Sequence, residues 1–294
     1  MRKIKVVLDW FANTNHTGFL LAQKKGYFAQ KGLEVEIFGE VHGVMDLHGA
    51  DVVLGPEISM LEKIAEGVKI TAIATLTQKC DSGIVSLKES GITSPKMLEG
   101  KRLTHWSPAW FHKAVGRVVE VDGGDYSKVK LVNKDVGDIE ETLGNDGDAV
   151  WIYKNWEWFV MKHAHKDCNY FALADFDPVL DFCAPAVAAK TRLIKEEPEA
   201  IRAFVKASDQ GFVDAASDPE EAAKILHGYT PHFALDLLVE SQQYISGLYL
   251  NENGRWGTIR PERWDRFSAF MQEKGMTKKN ISGENGGYTN AFHD

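Results

Sequence analysis

An α/β fold in two lobes is what the sequence predicts, and three observations predict it. Strands and helices alternate as βαβαβ from Ile4 to Leu76, the pattern of a mainly parallel sheet flanked by helices. The alternation starts again at Lys101 and runs to Ile152. With 294 residues, 44% of them apolar and 26% charged, the chain has length for two cores and the composition of an ordinary soluble globular protein.

The elements justify themselves in order. An apolar strand ending at Val6-Val7-Leu8 runs into Asp9-Trp10-Phe11, then a polar loop, Ala12 to Thr17, then a helix from Gly18 to Lys25 that Gly26 closes. Gly32 to Phe38 alternates as a second strand, and Asp51 to Leu54 reads as a short buried one with Gly55-Pro56-Glu57 as its exit turn. Ile58 to Gly67 carries Met60, Leu61 and Ile64 at helical spacing, and Lys69 to Leu76 is a strand. Ile84 to Leu87 follows as a strand, and Ser94-Pro95 opens a short helix by N-cap and N1 preference. The second series begins with the strand Lys101–Thr104, whose exit loop His105 to Trp110 feeds a helix through Val121. Strands at 129–132 and 148–152 flank a helix at 139–143, and the chain re-enters a strand around Ala186 to Ala188. The remainder is mostly helical: Ile201, Phe204, Val205, Ser208 and Phe212 trace one face, Asp218-Pro219-Glu220 starts another helix, and Pro261 to Lys274 forms a last one. The tail from Asn285 onward is expected to be loose. The second lobe is therefore inserted into the first, and the helical tail completes the first.

Charge and composition exclude several classes of function. A net charge of −8 without a basic stripe argues against nucleic-acid binding. No apolar run approaches the roughly 20 residues of a membrane span. Cys80, Cys168 and Cys183 are far apart, which gives neither a disulfide framework nor a zinc knuckle. His163-x-His165-x-x-Cys168 resembles a metal cluster in spacing, but Lys162, Lys166 and Asp167 make it a solvated connector. No metal and no cofactor are expected. Met1-Arg2-Lys3 leads straight into a strand, with no signal-peptide h-region. The expectation is an extracytoplasmic protein whose signal is absent from this sequence, or a cytoplasmic one if Met1 is the native start.

The loop after the first strand carries more chemistry than a turn requires. Strand–loop–helix junctions put side chains and free N–H groups at the carboxyl edge of a sheet, where open α/β folds bind ligands. The plainer reading of Asn13 and Thr17 is that they cap and turn. The segment Leu8-Asp9-Trp10-Phe11-x-Asn13-x-x-His16, then Gly26-Tyr27-Phe28-x-x-x-Gly32-Leu33 and Gly49-Ala50-Asp51, resembles the substrate-binding proteins of bacterial ABC importers that capture thiamine pyrimidine precursors. Ser94-Pro95-x-x-Leu98-x-Gly100-Lys101, Glu197-Pro198-Glu199 and Asp218-Pro219-Glu220 extend the resemblance to about Met276. It implies a two-lobed type II periplasmic-binding-protein architecture with a hinge and an interlobe cleft, lobe I being 1–84 plus 187–294 and lobe II 85–186. It also implies a monomer that takes a small heterocyclic ligand and hands it to a membrane permease.

A flat polar heterocycle needs aromatic faces for its ring, and carboxylates or amides for its nitrogens. The strand-exit loops supply both: Trp10, Trp106, Trp110, Trp151 and Tyr153 for stacking, and Asn13, His16, Glu57 and Asp181 for hydrogen bonding. The competing roles are core packing for each Trp, a helix-cap partner for His16, and a helix-dipole acid for Glu57. Trp156, Trp158 and Trp264 fall inside helical patterns and read as packing. In the family's binding proteins a glutamate grips the pyrimidine at the place of Ala184. Here Asp181 and Glu57 are the candidate substitutes, and the ligands to consider extend to a related heterocycle or a different aminopyrimidine. Pyrimidine synthases of the same fold use a lysine holding pyridoxal phosphate and a nearby histidine, and an ungapped match places Gly55 and Ser59 there. Without that lysine there is no Schiff base, and no nucleophile elbow, P-loop or H-E-x-x-H is present. A binding protein without turnover is expected. The alternatives are a synthase-like cytoplasmic enzyme, or a receptor of this fold for a flavin, sulfonate or nitrate; small anions rank lowest, because the loops offer Trp, Asn, His and acids instead of Arg or Lys.

Overall fold

A computed structural model describes residues 1–39, 49–105, 109–279, 281–284 and 286–294. The chain divides into two compact units, Met1–Lys79 with Phe182–Asp294, and Cys80–Asp181. In chain order the elements are β1 (Arg2–Val7), α1 (Thr17–Lys24), α2 (Tyr27–Gln30), β2 (Leu33–Phe38), β3 (Val52–Gly55), α3 (Glu57–Ala65) and β4 (Ile70–Thr75). The second unit holds β5 (Ser82–Leu87), β6 (Arg102–His105), α4 (Ala109–Val121), β7 (Lys130–Asn133), α5 (Ile139–Thr142), β8 (Ala149–Tyr153), α6 (Phe159–His163) and β9 (Cys168–Ala172). The chain then returns through β10 (Ala186–Lys190), α7 (Thr191–Glu196), α8 (Pro198–Ser217), α9 (Pro219–Tyr229), α10 (Leu235–Tyr249) and α11 (Pro261–Glu273).

Both sheets are mixed, which corrects the mainly parallel expectation. In unit 1 the order is β2-β1-β3-β10-β4, with β1 parallel to β2 and β3, and β10 antiparallel to β3 and β4. In unit 2 the order is β7-β6-β8-β5-β9, with β5 antiparallel to β8 and β9. The cause is connectivity. The chain leaves unit 1 from the carboxyl end of β4 and returns at that same edge, so β10 must run against its neighbours. β5 enters unit 2 in the same sense. It pairs over its whole length with β8 and β9. On the return, Phe182 stacks on Phe267 of α11 with centroids 4.7 Å apart. The crossovers therefore stand at 79/80 and 181/182, a few residues before the expected 84/85 and 186/187.

Alternation explains β1. Ile4 and Val6 are buried, while Lys3 points to the other face and reaches Glu34 and Glu36 of β2 at 3.3 and 3.2 Å. The buried face is covered by α1 and α8, whose approach is set by two glycines. A Cβ on Gly211 would stand 2.0 Å from the Gly18 carbonyl oxygen, and one on Gly18 would stand 2.3 Å from the Phe212 ring. Phe19 then meets Phe204, Phe212 and Trp256 at centroid separations of 5.9, 5.0 and 5.7 Å, a cluster of aromatic pairs at favourable spacing. The α8 face expected from helical spacing, Ile201 through Phe212, is buried.

The tail is not loose. The Ala72 N–H donates to the Gly287 carbonyl at 2.9 Å and the Thr289 N–H to the Ala72 carbonyl at 2.8 Å, so the chain end adds to the free edge of β4. Tyr288 and Phe292 are buried there, and His293 bonds the Ile73 carbonyl at 2.8 Å. An open edge offers unpaired backbone groups; here the last residues satisfy them.

Candidate functional site

In unit 1, β1, β3 and β4 end and β10 begins at one edge of the sheet. The β1 exit loop is the most elaborate structure at that edge. Asn13 caps a single turn, Thr14–His16, that runs on into α1. Its Oδ1 accepts from the Asn15 N–H at 2.9 Å, and its own N–H donates to Nδ1 of His16 at 3.2 Å. This is a capping box in which histidine stands where Glu or Gln is usual. Because Nδ1 accepts, Nε2 carries the proton and donates it to Asp9 Oδ1 at 2.8 Å. Helix α10 braces the loop from behind: Ser241 and Thr14 share a hydroxyl bond of 2.8 Å, and the Tyr249 hydroxyl donates to the Thr14 carbonyl. Burial pushes the Tyr249 phenol up in pKa, which keeps it a donor.

These contacts revise the roles expected of two residues. Asn13 and His16 are fully buried with their polar atoms turned on the loop itself, and these bonds build the loop. Trp10 is half-buried, its ring 4.2 Å from that of Phe11. Phe11 in turn meets Phe233, 5.4 Å away, which lies against His232 on the α9–α10 connection. Asp9, Phe11 and Phe233 belong to this site, and sequence reasoning does not single them out. Asp9 stands beside Trp10 in the motif, but only the fold shows its carboxylate at the surface and the histidine behind it.

Glu57, the acid expected at the end of β3, is held from within the fold. It opens α3 directly after β3, is fully buried, and exchanges two bonds with Cys183: Oε2 accepts from the Cys183 N–H at 2.8 Å, and the Glu57 N–H donates to the Cys183 carbonyl at 2.7 Å. It ties the start of β10 to the end of β3. Nearby, buried Arg263 of α11 donates to the Thr77 carbonyl at 2.6 Å and the Phe182 carbonyl at 2.7 Å, holding both crossover segments on the unit 1 side.

In unit 2, β6 and β8 end and β5 begins at one edge. Tyr153 closes β8, half-buried, and a π-helical turn follows over Lys154–Trp158; such turns are frequent at functional sites. The turn wraps two carboxyls. Asp81 Oδ2 accepts from the Asn155 N–H at 2.8 Å, and Glu157 Oε2 accepts from the Tyr153 N–H at 3.1 Å. Burial pushes the Glu157 carboxyl up to about 8, with the charges of Asp81 and Asp135 adding to the effect. Neither Asp81 nor Glu157 stands out in the sequence, because a carboxyl's burial depends on chain folded around it from elsewhere. Lys154 extends over the rings of Tyr170 and Trp158, 4.9 and 5.5 Å from their centroids.

The remaining expected residues are placed as follows. Trp110 is buried edge-on against Trp151, itself fully buried, with centroids 4.9 Å apart, so both rings pack within unit 2. Asp181 stands at the second crossover, where its Oδ1 accepts from the Cys80 N–H at 2.8 Å and joins the two ends of unit 2. Trp106 lies outside the described residues. Among the described residues no group of three or more His, Cys, Asp or Glu side chains could hold a metal ion. Cys168, in the sequence's His-x-His-x-x-Cys stretch, opens β9, and burial pushes its thiol up to about 11. No helix of the described residues is long and apolar enough to cross a membrane.

Comparison with known proteins places this architecture. The family described as NMT1/THI5 like matches residues 13–222. A formylaminopyrimidine-binding protein of Halalkalibacterium halodurans is 24% identical over 92% of this chain and 85% of its own length. A 4-amino-5-hydroxymethyl-2-methylpyrimidine phosphate synthase of Legionella pneumophila is 20% identical over 87% of this chain and 84% of its own. Among solved structures, the periplasmic aliphatic sulphonate binding protein SsuA of Escherichia coli superposes with a TM-score of 0.74 at 11% identity, covering 100% of both chains. The fold is that of the periplasmic binding proteins.

Proposed function

This chain belongs to the NMT1/THI5-like family, and on that premise we propose that it is the solute-binding receptor of an ABC importer and captures a thiamine-type aminopyrimidine precursor. The observation that carries this reading is the β1 exit loop: a half-buried Trp10 beside Asp9, whose carboxylate is held by buried His16. A ring face next to an anchored acceptor is what a flat, amine-bearing heterocycle requires. The ring pair Phe11–Phe233 adds aromatic surface beside the same loop. The formylaminopyrimidine-binding relative supports the same class of ligand. The receptor works outside the cytoplasm as a monomer and delivers its ligand to a membrane permease.

The family also contains proteins named as pyrimidine phosphate synthases, and turnover is the second reading. It asks for a lysine to hold pyridoxal phosphate after β3. The matching places here are Gly55, the buried last residue of β3, and Ser59 in α3. Neither bears an amine, so the residues present do not fit that cofactor and no step through it follows. Isothermal titration calorimetry of the purified chain with formylaminopyrimidine and with 4-amino-5-hydroxymethyl-2-methylpyrimidine tests the proposal. Saturable binding of one molecule per chain, with a change in tryptophan fluorescence, is expected. Absence of binding to both compounds overturns it, and product formed from either after addition of pyridoxal phosphate would favour the enzyme.

A further inference from the structure

Of the acids contributed to the unit 1 carboxyl edge by Leu8–Thr17, Gly55–Glu57 and Phe182–Ala186, there are two, Asp9 and Glu57. Glu57 is fully buried, with Oε2 held by the Cys183 N–H. Asp9 keeps 20% of its side chain exposed, while its partner His16 keeps none. Asp9 Oδ1 accepts from His16 Nε2, and among the described residues Oδ2 has no hydrogen-bond partner. His16 in turn cannot rotate away, because Nδ1 is held by the Asn13 N–H, and the turn it sits in is tied to α10 through Thr14. One carboxylate oxygen is therefore fixed from inside the protein, and the other is without a partner among the described residues, on a side chain that keeps part of its surface exposed one residue before Trp10.

We infer that Asp9 is the residue that reads the ligand's exocyclic amine, through Oδ2, and that His16 is its positioning residue. The inference rests on the aminopyrimidine reading above and adds to it the specificity determinant. An ionised carboxylate accepting from an N–H makes a stronger bond than a neutral acceptor. A binding group held within narrow limits by a buried partner loses little freedom when the ligand arrives. The arrangement also explains why the loop spends a histidine at the capping-box position. An ionised Glu there would close the box but has no N–H to offer Asp9, whereas the imidazole accepts from the Asn13 N–H at one nitrogen and donates to Asp9 from the other.

The test uses the full chain and 4-amino-5-hydroxymethyl-2-methylpyrimidine, with an analogue carrying methyl in place of the amine. Asp9→Asn retains an oxygen for the His16 N–H but turns the other atom from an acceptor into a donor. It is expected to weaken binding of the amine-bearing compound by roughly 10- to 100-fold, the range for losing a hydrogen bond to a charged group, and to change binding of the methyl analogue less than about threefold. His16→Gln is expected to weaken amine binding in the wild-type background and to have no further effect in Asp9→Asn, which separates positioning through Asp9 from a general effect on the fold. If His16→Gln does not fold by circular dichroism, the Asp9→Asn comparison decides alone. Equal affinity of Asp9→Asn and the wild type for the amine-bearing compound overturns the inference and leaves the receptor reading standing. A wild type that binds neither pyrimidine overturns the receptor reading and this inference with it.

Discussion

At the scale of single residues, the side chains that decide this protein's chemistry are those whose environment inverts their usual behaviour. Glu157 is the sharpest case. Its ordinary value of 4.5 is raised to about 8 by burial, with Asp81 and Asp135 adding repulsion. The folded chain therefore holds a proton there that the unfolded chain releases above 4.5. The stabilisation from that proton is complete below pH 4.5 and drains away as pH rises towards 8. At about 1.4 kcal/mol for each pH step of one across this window, the loss is on the order of a few kcal/mol. Glu157→Gln keeps an oxygen for the Tyr153 N–H and carries no charge at any pH. Urea melts between pH 4.5 and 9 should show the two proteins converging at the acid end and the variant more stable at the alkaline end; parallel curves would show that Glu157 is ionised in the fold. His16 teaches the same lesson from the other side. The sequence allows it to be a ligand group or a cap partner, and the fold makes it a cap partner that also aims Asp9. Asp9 stands in the same motif without drawing notice, because nothing local tells which member of a polar loop keeps its face to solvent.

At the scale of elements, periodicity is the informative signal, and it is informative wherever burial is local. The alternation of β1 and β2 and the apolar stripe of α8 read correctly because each element's own neighbours on the sheet or helix enforce the pattern. Strand direction does not read, since β5 and β10 run against their sheets for reasons of chain route alone. The pairing of the last residues with β4 does not read either, because Gly286-Gly287 is turn composition and the partner, Ala72, is distant in sequence. Helix crossing is a third non-local property. Gly18 and Gly211 resemble any helix glycine in sequence, yet they are where α1 and α8 touch. Gly211→Ala would put a methyl group 2.0 Å from the Gly18 carbonyl oxygen and 3.0 Å from Ala22. The backbone must move to admit it, at a cost of about 1–3 kcal/mol by the usual scale of overpacking. Because α1 continues from the Thr14–His16 turn, the same displacement reaches the Asp9–His16 pair. Thermal melts should show the loss of stability, and aminopyrimidine titration a weaker affinity; a variant with unchanged melting would show that the two helices can separate freely.

At the scale of the whole molecule, the two units are separate folding problems joined by two strands of chain. Each has its own five-stranded sheet and its own core, with Val85, Val150, Ile152 and Leu143 among the buried residues of unit 2. Each also closes its side of the crossover with its own atoms. On the unit 1 side, Arg263 binds the Thr77 and Phe182 carbonyls; on the unit 2 side, Asp181 takes the Cys80 N–H. The repeated βα series makes the insertion legible in the sequence, but not these closures, which join residues 81 to 186 positions apart. They carry a consequence for autonomy. A unit whose first and last residues are hydrogen-bonded to each other does not depend on the rest of the chain to bring its ends together, and domains with adjacent termini tolerate excision and insertion. Residues 80–181 expressed alone should therefore give a soluble protein with a single cooperative thermal transition and the circular dichroism of a mixed α/β fold. Asp181→Ala in that fragment removes the carboxylate that accepts from the Cys80 N–H, and should lower its stability by about 1–3 kcal/mol, the range for losing a hydrogen bond to a charged group. A fragment that stays unfolded would mean that unit 2 draws stability from unit 1 beyond the two covalent crossings.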